Sequence, residues 1–352
     1  MILFHGFALT FLAGVSVGFC LWSLKWARNW KWENFWLVYT IASMIIVPFA
    51  IAFCFLPHLG RVYSSLTPSE ILVPFVLGAS WGFCQLGAGV STHKLGIAVS
   101  SAVLNGVGTA FGTVLPLILL HRALMLQTSG RLIFAGTAVM LVGAGLCGWS
   151  GYHREEEAKQ QGRGSGFSTE QSAMNQDSLT RRQYVLLVAM TVGAGVLASL
   201  LNVALAYGGS IMQKACAQGA QASWAPFAVW PIALLGGSIV NIGYCIYLLT
   251  TNHTWGNFVH GAKEVFNPLL AACLWMGGIA LYSSGTSYLG VLGVSIGFGL
   301  YMIVNIVSGQ FAAIATGEWH LMRASIYRSF AAGIACLVLA VVTIGASNYV
   351  SK

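Results

Sequence analysis

Apolar residues in this chain fall in long unbroken runs. They form neither the one-sided stripes of a surface helix nor the alternation of a half-buried strand. Ten such runs can be marked, at 3–24, 35–56, 71–93, 95–119, 131–150, 183–207, 225–250, 265–285, 287–312 and 324–346. Each approaches the roughly 20 residues that a helix needs to cross a hydrocarbon core. A helix that is apolar on every side requires lipid or protein all round it. The pattern therefore predicts an all-α integral membrane protein with ten transmembrane helices. The tightest joints fall at His93-Lys94 and near Thr286-Ser287.

One polar stretch breaks the series. Residues 151–182 hold ten of the 26 charged residues and no apolar run, which reads as a flexible linker. It divides the chain into a first five-helix half, 1–150, the linker, and a second half, 183–352. The halves share a register of 194 residues: Trp30/Trp224, Trp36/Trp230, Glu70/Glu264, Pro74/Pro268, Trp81/Trp275, Thr92/Thr286 and Leu95-Gly96/Leu289-Gly290. Five spans is an odd number, so the second half must enter the membrane upside down. The expectation is two inverted five-helix repeats, an arrangement that lets two similar halves exchange conformations around a midplane site.

Composition strengthens the membrane reading: 57% hydrophobic and 7% charged, with a mean hydropathy of +0.76, against about 25% charge in soluble domains. The net charge of +8 would suit a polyanion partner in a soluble domain. Here it reads as basic loops on the cytoplasmic side, and no nucleic-acid module is visible. With the N-terminus outside, twelve of the 17 Lys and Arg face inward. This predicts both termini outside and the 151–182 linker cytoplasmic. The N-terminal run lacks a basic leader and ends at Lys25, Arg28 and Lys31, which fits a retained first span. The eight Cys show no paired spacing for a metal site or disulfide framework. The Gly143–Gly148 match to GxGxxG follows no strand. No enzyme signature, cofactor motif or metal motif appears.

Two kinds of residue carry candidate chemistry. Thr67-Pro68-Ser69-Glu70 is a capping box, so Glu70 and its repeat partner Glu264 read as helix-start acids. Polar side chains well inside spans cost free energy unless they find partners or a ligand. Trp81, Gln85, Asn105, Asn241, Trp275, Tyr301 and Asn305 are the predicted substrate contacts. Amides can donate to and accept from hydroxyls, and indole offers a flat apolar face, a pairing that suits a small neutral sugar. No Asp or Glu falls mid-span, so the residues alone leave proton coupling open. Candidates for it are Glu33, His93 and Lys94.

The stretch Trp30-Lys31-Trp32-Glu33-Asn34-Phe35-Trp36 resembles the L-rhamnose–proton symporter family of the drug/metabolite transporter superfamily. The likeness continues through Pro48, Leu56-Pro57, Tyr63-Ser64-Ser65, Gly78-Ala79-Ser80-Trp81-Gly82, Leu95-Gly96 and Gly112-Thr113 with Pro116. It returns at Asn202, Pro231, Gly236-Gly237, Asn241–Cys245, Leu274-Trp275 and Glu318-Trp319. The resemblance implies ten spans, a bacterial inner-membrane location and proton-coupled uptake of a small sugar by alternating access. A related exporter or uniporter of another neutral metabolite is the competing transport reading. A non-transporting receptor is a third possibility, against which the inverted duplication speaks. Substrate identity, direction and oligomeric state stay open at this level.

Overall fold

The structure is a computed structural model that describes residues 2–20, 23, 30–95, 97–160, 181–315 and 323–350. Lys25, Arg28, Gly96, most of the linker and Glu318-Trp319 lie outside the described residues, as do the side chains of His93 and Lys94. All secondary structure among the described residues is helical. In chain order the helices are α1 (Ile2–Phe19), α2 (Trp32–Thr40), α3 (Val47–Phe55), α4 (Leu59–Ser64), α5 (Pro68–Leu95), α6 (Ile97–Leu120) and α7 (Thr128–Gln160). They continue as α8 (Arg181–Tyr207), α9 (Gly209–Ala217), α10 (Trp230–Thr251), α11 (Phe266–Tyr288), α12 (Gly293–Ala315) and α13 (Ala324–Val350). Short turns of helix occupy Arg122–Met125, Ala225–Ala228, Asn257–His260 and Ala262–Val265. Lipid offers no hydrogen-bond partner, so a spanning backbone must bond to itself, and helices are the open-chain solution.

Eight stretches are long and apolar enough to cross a membrane, and Leu3–Phe19 and Gly293–Gly309 are shorter apolar helices. They overlap the predicted apolar runs in sequence, with four local differences. The run at 35–56 is not one regular helix: Ile41–Ile46 is π-helical, with Val47 N–H donating to Ala42 O. Pro48 follows it after Val47. A proline has no N–H to donate and crowds the turn before it, which favours such a bulge. The joint expected near Thr286-Ser287 falls later, because α11 runs to Tyr288 and Gly290 turns the chain at φ 79°. A positive φ there costs glycine nothing. Helix α7 continues ten residues past 150, to Gln160. The polar stretch therefore starts as an extension of the fifth span. Finally, α8 is followed after Gly208 by the short α9.

The chain forms two compact units that interleave both halves of the sequence: residues 1–83 with 200–309, and residues 84–199 with 310–352. In the first, α1 packs along α11, and α2 with its π segment lies against α10 and α11. Glycine and small residues let these backbones meet. A Cβ on Gly285 would sit 2.7 Å from Thr10 Oγ1, and one on Gly278 3.0 Å from Ala13 O. In lipid there is no hydrophobic drive to bring helices together, so close van der Waals packing supplies the association. The second unit is built on α7, which packs against α13 and α6. Gly143 and Gly333 face each other across α7 and α13, and Ser150 Oγ donates to Ile326 O at 2.8 Å. Large apolar side chains on many helices face outward, among them Phe53, Leu72, Val185, Leu186, Phe311 and Val342. That inverts the rule of a water-soluble protein and marks the lipid-facing surface.

Candidate functional site

The first unit is organised by a row of aromatic rings. On α2, Trp32, Trp36 and Tyr39 follow one another at helical spacing and share a face. Trp32 stacks on Trp36 with centroids 5.1 Å apart and planes at 15°. Trp36 meets Tyr39 at 5.0 Å, Tyr39 meets Trp275 of α11 at 6.3 Å, and Trp275 stacks on Trp81 of α5 at 5.8 Å and 20°. Three helices thus contribute one continuous row. Trp81 can sit there because α10 presents Gly237, whose Cβ would come within 3.0 Å of the indole. The ring centroid distances are those of favourable offset and tilted aromatic pairs.

Asn241 lies beside this row, 2% exposed. Its Oδ1 accepts from Trp36 Nε1 at 3.2 Å, and its Nδ2 donates to Gly237 O at 3.0 Å. One N–H and one lone pair of the amide remain to be used. Trp81 and Trp275 have no hydrogen-bond acceptor for their indole N–H among the described residues. The row therefore combines flat apolar faces with donors that a hydroxylated ligand could occupy.

A second aromatic group lies between α11 and α12. Tyr282, buried, donates its hydroxyl to Asn202 Oδ1. Tyr282 and Tyr301 lie 5.2 Å apart, and Phe298 closes the group. Asn305, one turn beyond Tyr301, is half-buried and makes no side-chain hydrogen bond among the described residues. Trp230, the repeat partner of Trp36, donates to Ser283 Oγ at 3.1 Å.

Two polar clusters mark opposite ends of the helices of this unit. At the start of α2, Glu33 Oε1 accepts from Asn252 Nδ2 at 3.1 Å and Thr254 Oγ1 at 2.8 Å. Asn34 Nδ2 donates to Thr254 O at 3.0 Å, and Asn257 Nδ2 donates to Asn34 Oδ1 at 3.3 Å. Nearby, Glu264 Oε2 accepts from Trp30 N at 3.2 Å. At the start of α5, Glu70 Oε2 accepts from Thr67 N at 2.7 Å and from Lys214 Nζ at 2.6 Å. Lys214 also donates to Ser65 O at 2.8 Å. Glu70 thus supplies its half of the capping box to the Thr67 N–H, Thr67 Oγ1 donates to the same carboxylate at 2.9 Å, and α9 adds a cation that the sequence pattern did not reveal. Burial raises the phenol of Tyr63, in α4, above its usual range while it donates to Ala228 O.

Of the predicted contacts, the first unit brings together Trp81, Trp275 and Asn241, linked through Trp36 and Tyr39, and places Tyr301 and Asn305 on α12. Gln85 and Asn105 belong to the second unit. There Gln85 is half-buried and Asn105 is exposed, with Asn105 O accepting from Thr109 Oγ1 at 2.5 Å. Neither side chain makes a hydrogen bond among the described residues. Trp32, Trp36 and Tyr39 were missing from the predicted contacts. Their spacing along a single helix face was the signal that could have found them. No group of three or more His, Cys, Asp or Glu suited to a metal occurs among the described residues.

Comparison with known proteins shows the family. The model of the L-rhamnose-proton symport protein family matches residues 3–350. Among curated relatives, an L-rhamnose-proton symporter of Mannheimia succiniciproducens is 24% identical over 349 residues, covering 95% of this chain and 96% of its own. One from Shigella dysenteriae is 24% identical over 319 residues, 88% of each chain. One from Yersinia pestis is 22% identical over 320 residues, also 88% of each. The match runs almost from end to end, and the chain belongs to the L-rhamnose-proton symport protein family.

Proposed function

We propose that this protein is a secondary transporter that carries a small sugar, L-rhamnose or a related deoxyhexose, together with protons across the bacterial inner membrane. The single observation that carries this reading is the stacked pair Trp81–Trp275 with Asn241 beside it. Sugar C–H faces stack on indole, and hydroxyls pair with amides and indole N–H groups. The names of the relatives point to the same cargo. Tyr301 and Asn305 complete the contacts proposed in the first unit, and Gln85 and Asn105 are further contacts proposed from the sequence. Glu33, His93 and Lys94 are the proposed coupling residues. The family is one of symport proteins, not of enzymes.

The proposed architecture is ten spans in two inverted halves, 1–150 and 183–352, joined by the 151–182 linker, of the drug/metabolite transporter type. Support comes from element positions as well as residue identities. The helical turn at Ala262 starts 194 residues after α5. Among the described residues, the non-glycine positive-φ positions are His58 and His253, each just after the helix that ends a second-in-half span. Trp81 and Trp275, related by the repeat, stack on each other across it. Inverted halves around one site provide alternating access. The charge bias of the loops favours both termini outside and a cytoplasmic linker.

Purified protein in proteoliposomes tests the reading. An imposed inward proton gradient should drive saturable accumulation of labelled L-rhamnose, and an uncoupler should abolish it. Saturable uptake that ignores the gradient would point to a uniporter. Saturable transport of an amino acid or other neutral solute in place of any sugar would favour the metabolite exporter. No saturable transport by well-folded protein would refute transport altogether.

A further inference from the structure

We propose that Glu33 is the group that takes up the coupled proton, and that its ionised carboxylate latches α2 to the turn that follows α10. The inference rests on the proton-coupled reading above and names the residue that performs the coupling.

Burial comes first. Glu33 is 6% exposed, although it sits in the first turn of an apolar span. Two other described carboxylates are matched by cations: Glu70 pairs with Lys214 and Glu157 with Arg323. Glu33 is held by two neutral donors, Asn252 Nδ2 and Thr254 Oγ1, and no cation pairs with it among the described residues. A buried ion pair resists protonation, because neutralising one partner strands the other charge. A buried carboxylate held only by neutral donors carries no such penalty, so its charge can come and go with each transport cycle.

The surrounding groups suit that role. From α10, the titratable neighbours of Glu33 are Tyr244, whose ring meets Trp32 at 6.3 Å, and Cys245. Lys31, on its own side, is exposed, as are His253 in the turn and Lys263 in the 262–265 turn, where Glu264 accepts from Trp30. Water can therefore reach the neighbourhood of the latch from the rim, while the carboxyl itself is covered.

Position links the latch to the sugar. Glu33 and Trp36 lie one turn apart on α2. Trp36 reaches Asn241 within α10, and Glu33 reaches Asn252, the residue that ends α10. Sugar and proton thus act on the same pair of helices. Bonds to an ionised acceptor are roughly twice as strong as neutral ones. A proton passing from water to Glu33 converts two charge-assisted bonds into neutral ones and loosens the clasp on the 252–257 turn. Asn34 and Asn257 keep the turn attached. When the proton returns to water, the carboxylate draws the turn back. Any coupling of this kind is reciprocal, so sugar bound at Trp36 and Asn241 must also change how readily Glu33 holds its proton.

Glu33→Gln tests the idea, because the carboxamide keeps an acceptor oxygen and only ionisation is lost. In proteoliposomes carrying a pH dye, the variant should lose both gradient-driven accumulation and rhamnose-induced proton uptake. Exchange of labelled for unlabelled sugar at equal concentrations should persist and become independent of pH. Proton uptake that survives in Glu33→Gln overturns the proposal. So does loss of exchange along with accumulation, which would mean that the charge serves the fold. Thr254→Val provides a second test that leaves the acid in place. Losing one donor to the ionised form should move the pH profile of exchange upward. A profile that coincides with wild type overturns the latch. Absence of rhamnose-induced proton uptake in the wild type would instead refute the proton-coupled reading itself.

Discussion

Gly78 is where the packing of the first unit has least room. A Cβ at this position would lie 1.8 Å from the carbonyl oxygen of Ala233 and 2.6 Å from its carbon. Both are backbone atoms, so no side chain can rotate away. Gly236 on the facing helix is equally confined, with a Cβ meeting Phe75 O at 2.1 Å. Gly78→Ala must therefore push α5 and α10 apart. Bringing the contact to 3.0 Å, the floor for real Cβ contacts, requires a shift of about 1.2 Å. A gap of about 1 Å already forfeits up to half of each van der Waals contact along the seam. Overpacking typically costs about 1–3 kcal/mol, and a backbone-to-backbone clash belongs at the top of that range. About 3 kcal/mol is a factor of more than 100 in the folding equilibrium.

The matched control is Gly243→Ala on the same α10. A Cβ there has nothing within 4 Å, and alanine is favoured over glycine by about 1 kcal/mol in a helix. Thermal melts in detergent, followed by size-exclusion recovery, should show Gly78→Ala melting several degrees below wild type. Gly243→Ala should match or exceed wild type. Because Trp81 lies one turn beyond Gly78 and touches Gly237, sugar affinity should fall in the first variant and hold in the second. Equal melting temperatures for the two variants would refute the claim that the backbones meet at this crossing.

Three further outcomes follow from the same geometry. Trp275→Phe keeps a ring against Trp81 but loses the indole N–H, and should weaken rhamnose binding by about 1 kcal/mol, roughly fivefold, in titration calorimetry. Trp275→Ala should weaken it further, and unchanged binding in both would remove the row from the site. Tyr282→Phe deprives buried Asn202 Oδ1 of its phenol donor and should lower stability by about 1–2 kcal/mol, read as a melting shift with transport affinity preserved. In the second unit, Gly333→Val places carbon within 2.7 Å of Cys147 Sγ. It should separate α7 from α13 and reduce the yield of monodisperse protein; a normal elution profile would contradict the packing described.

The aromatic row shows how far the primary sequence can be followed. Trp81 and Trp275 were visible as repeat-related residues inside spans, and the structure stacks them. Trp32, Trp36 and Tyr39 shared a helix face in the sequence, but nothing local said that this face met Trp275, more than 230 residues away. Gln85 and Asn105 had the same local credentials as Asn241, yet they belong to the other unit. Helical periodicity assigns each residue to a face and is silent about what that face touches.

Glu33 makes the same point from the side of charge. In the sequence it was an acid at a membrane edge. Its burial and its neutral partners arise from a turn about 220 residues downstream. What the sequence determined by itself were the apolar runs, the polar break after the fifth of them and the 194-residue register. Lipid forces each spanning segment to satisfy its own backbone, so local composition suffices for these. What the tertiary structure alone decided were the partners: Trp36 with Asn241, Tyr282 with Asn202, Glu33 with Thr254. It also decided the π segment before Pro48 and the glycine crossing at Gly78. Side-chain packing between helices sets these, and in a bilayer it depends on how closely particular backbones can approach, which no single helix records.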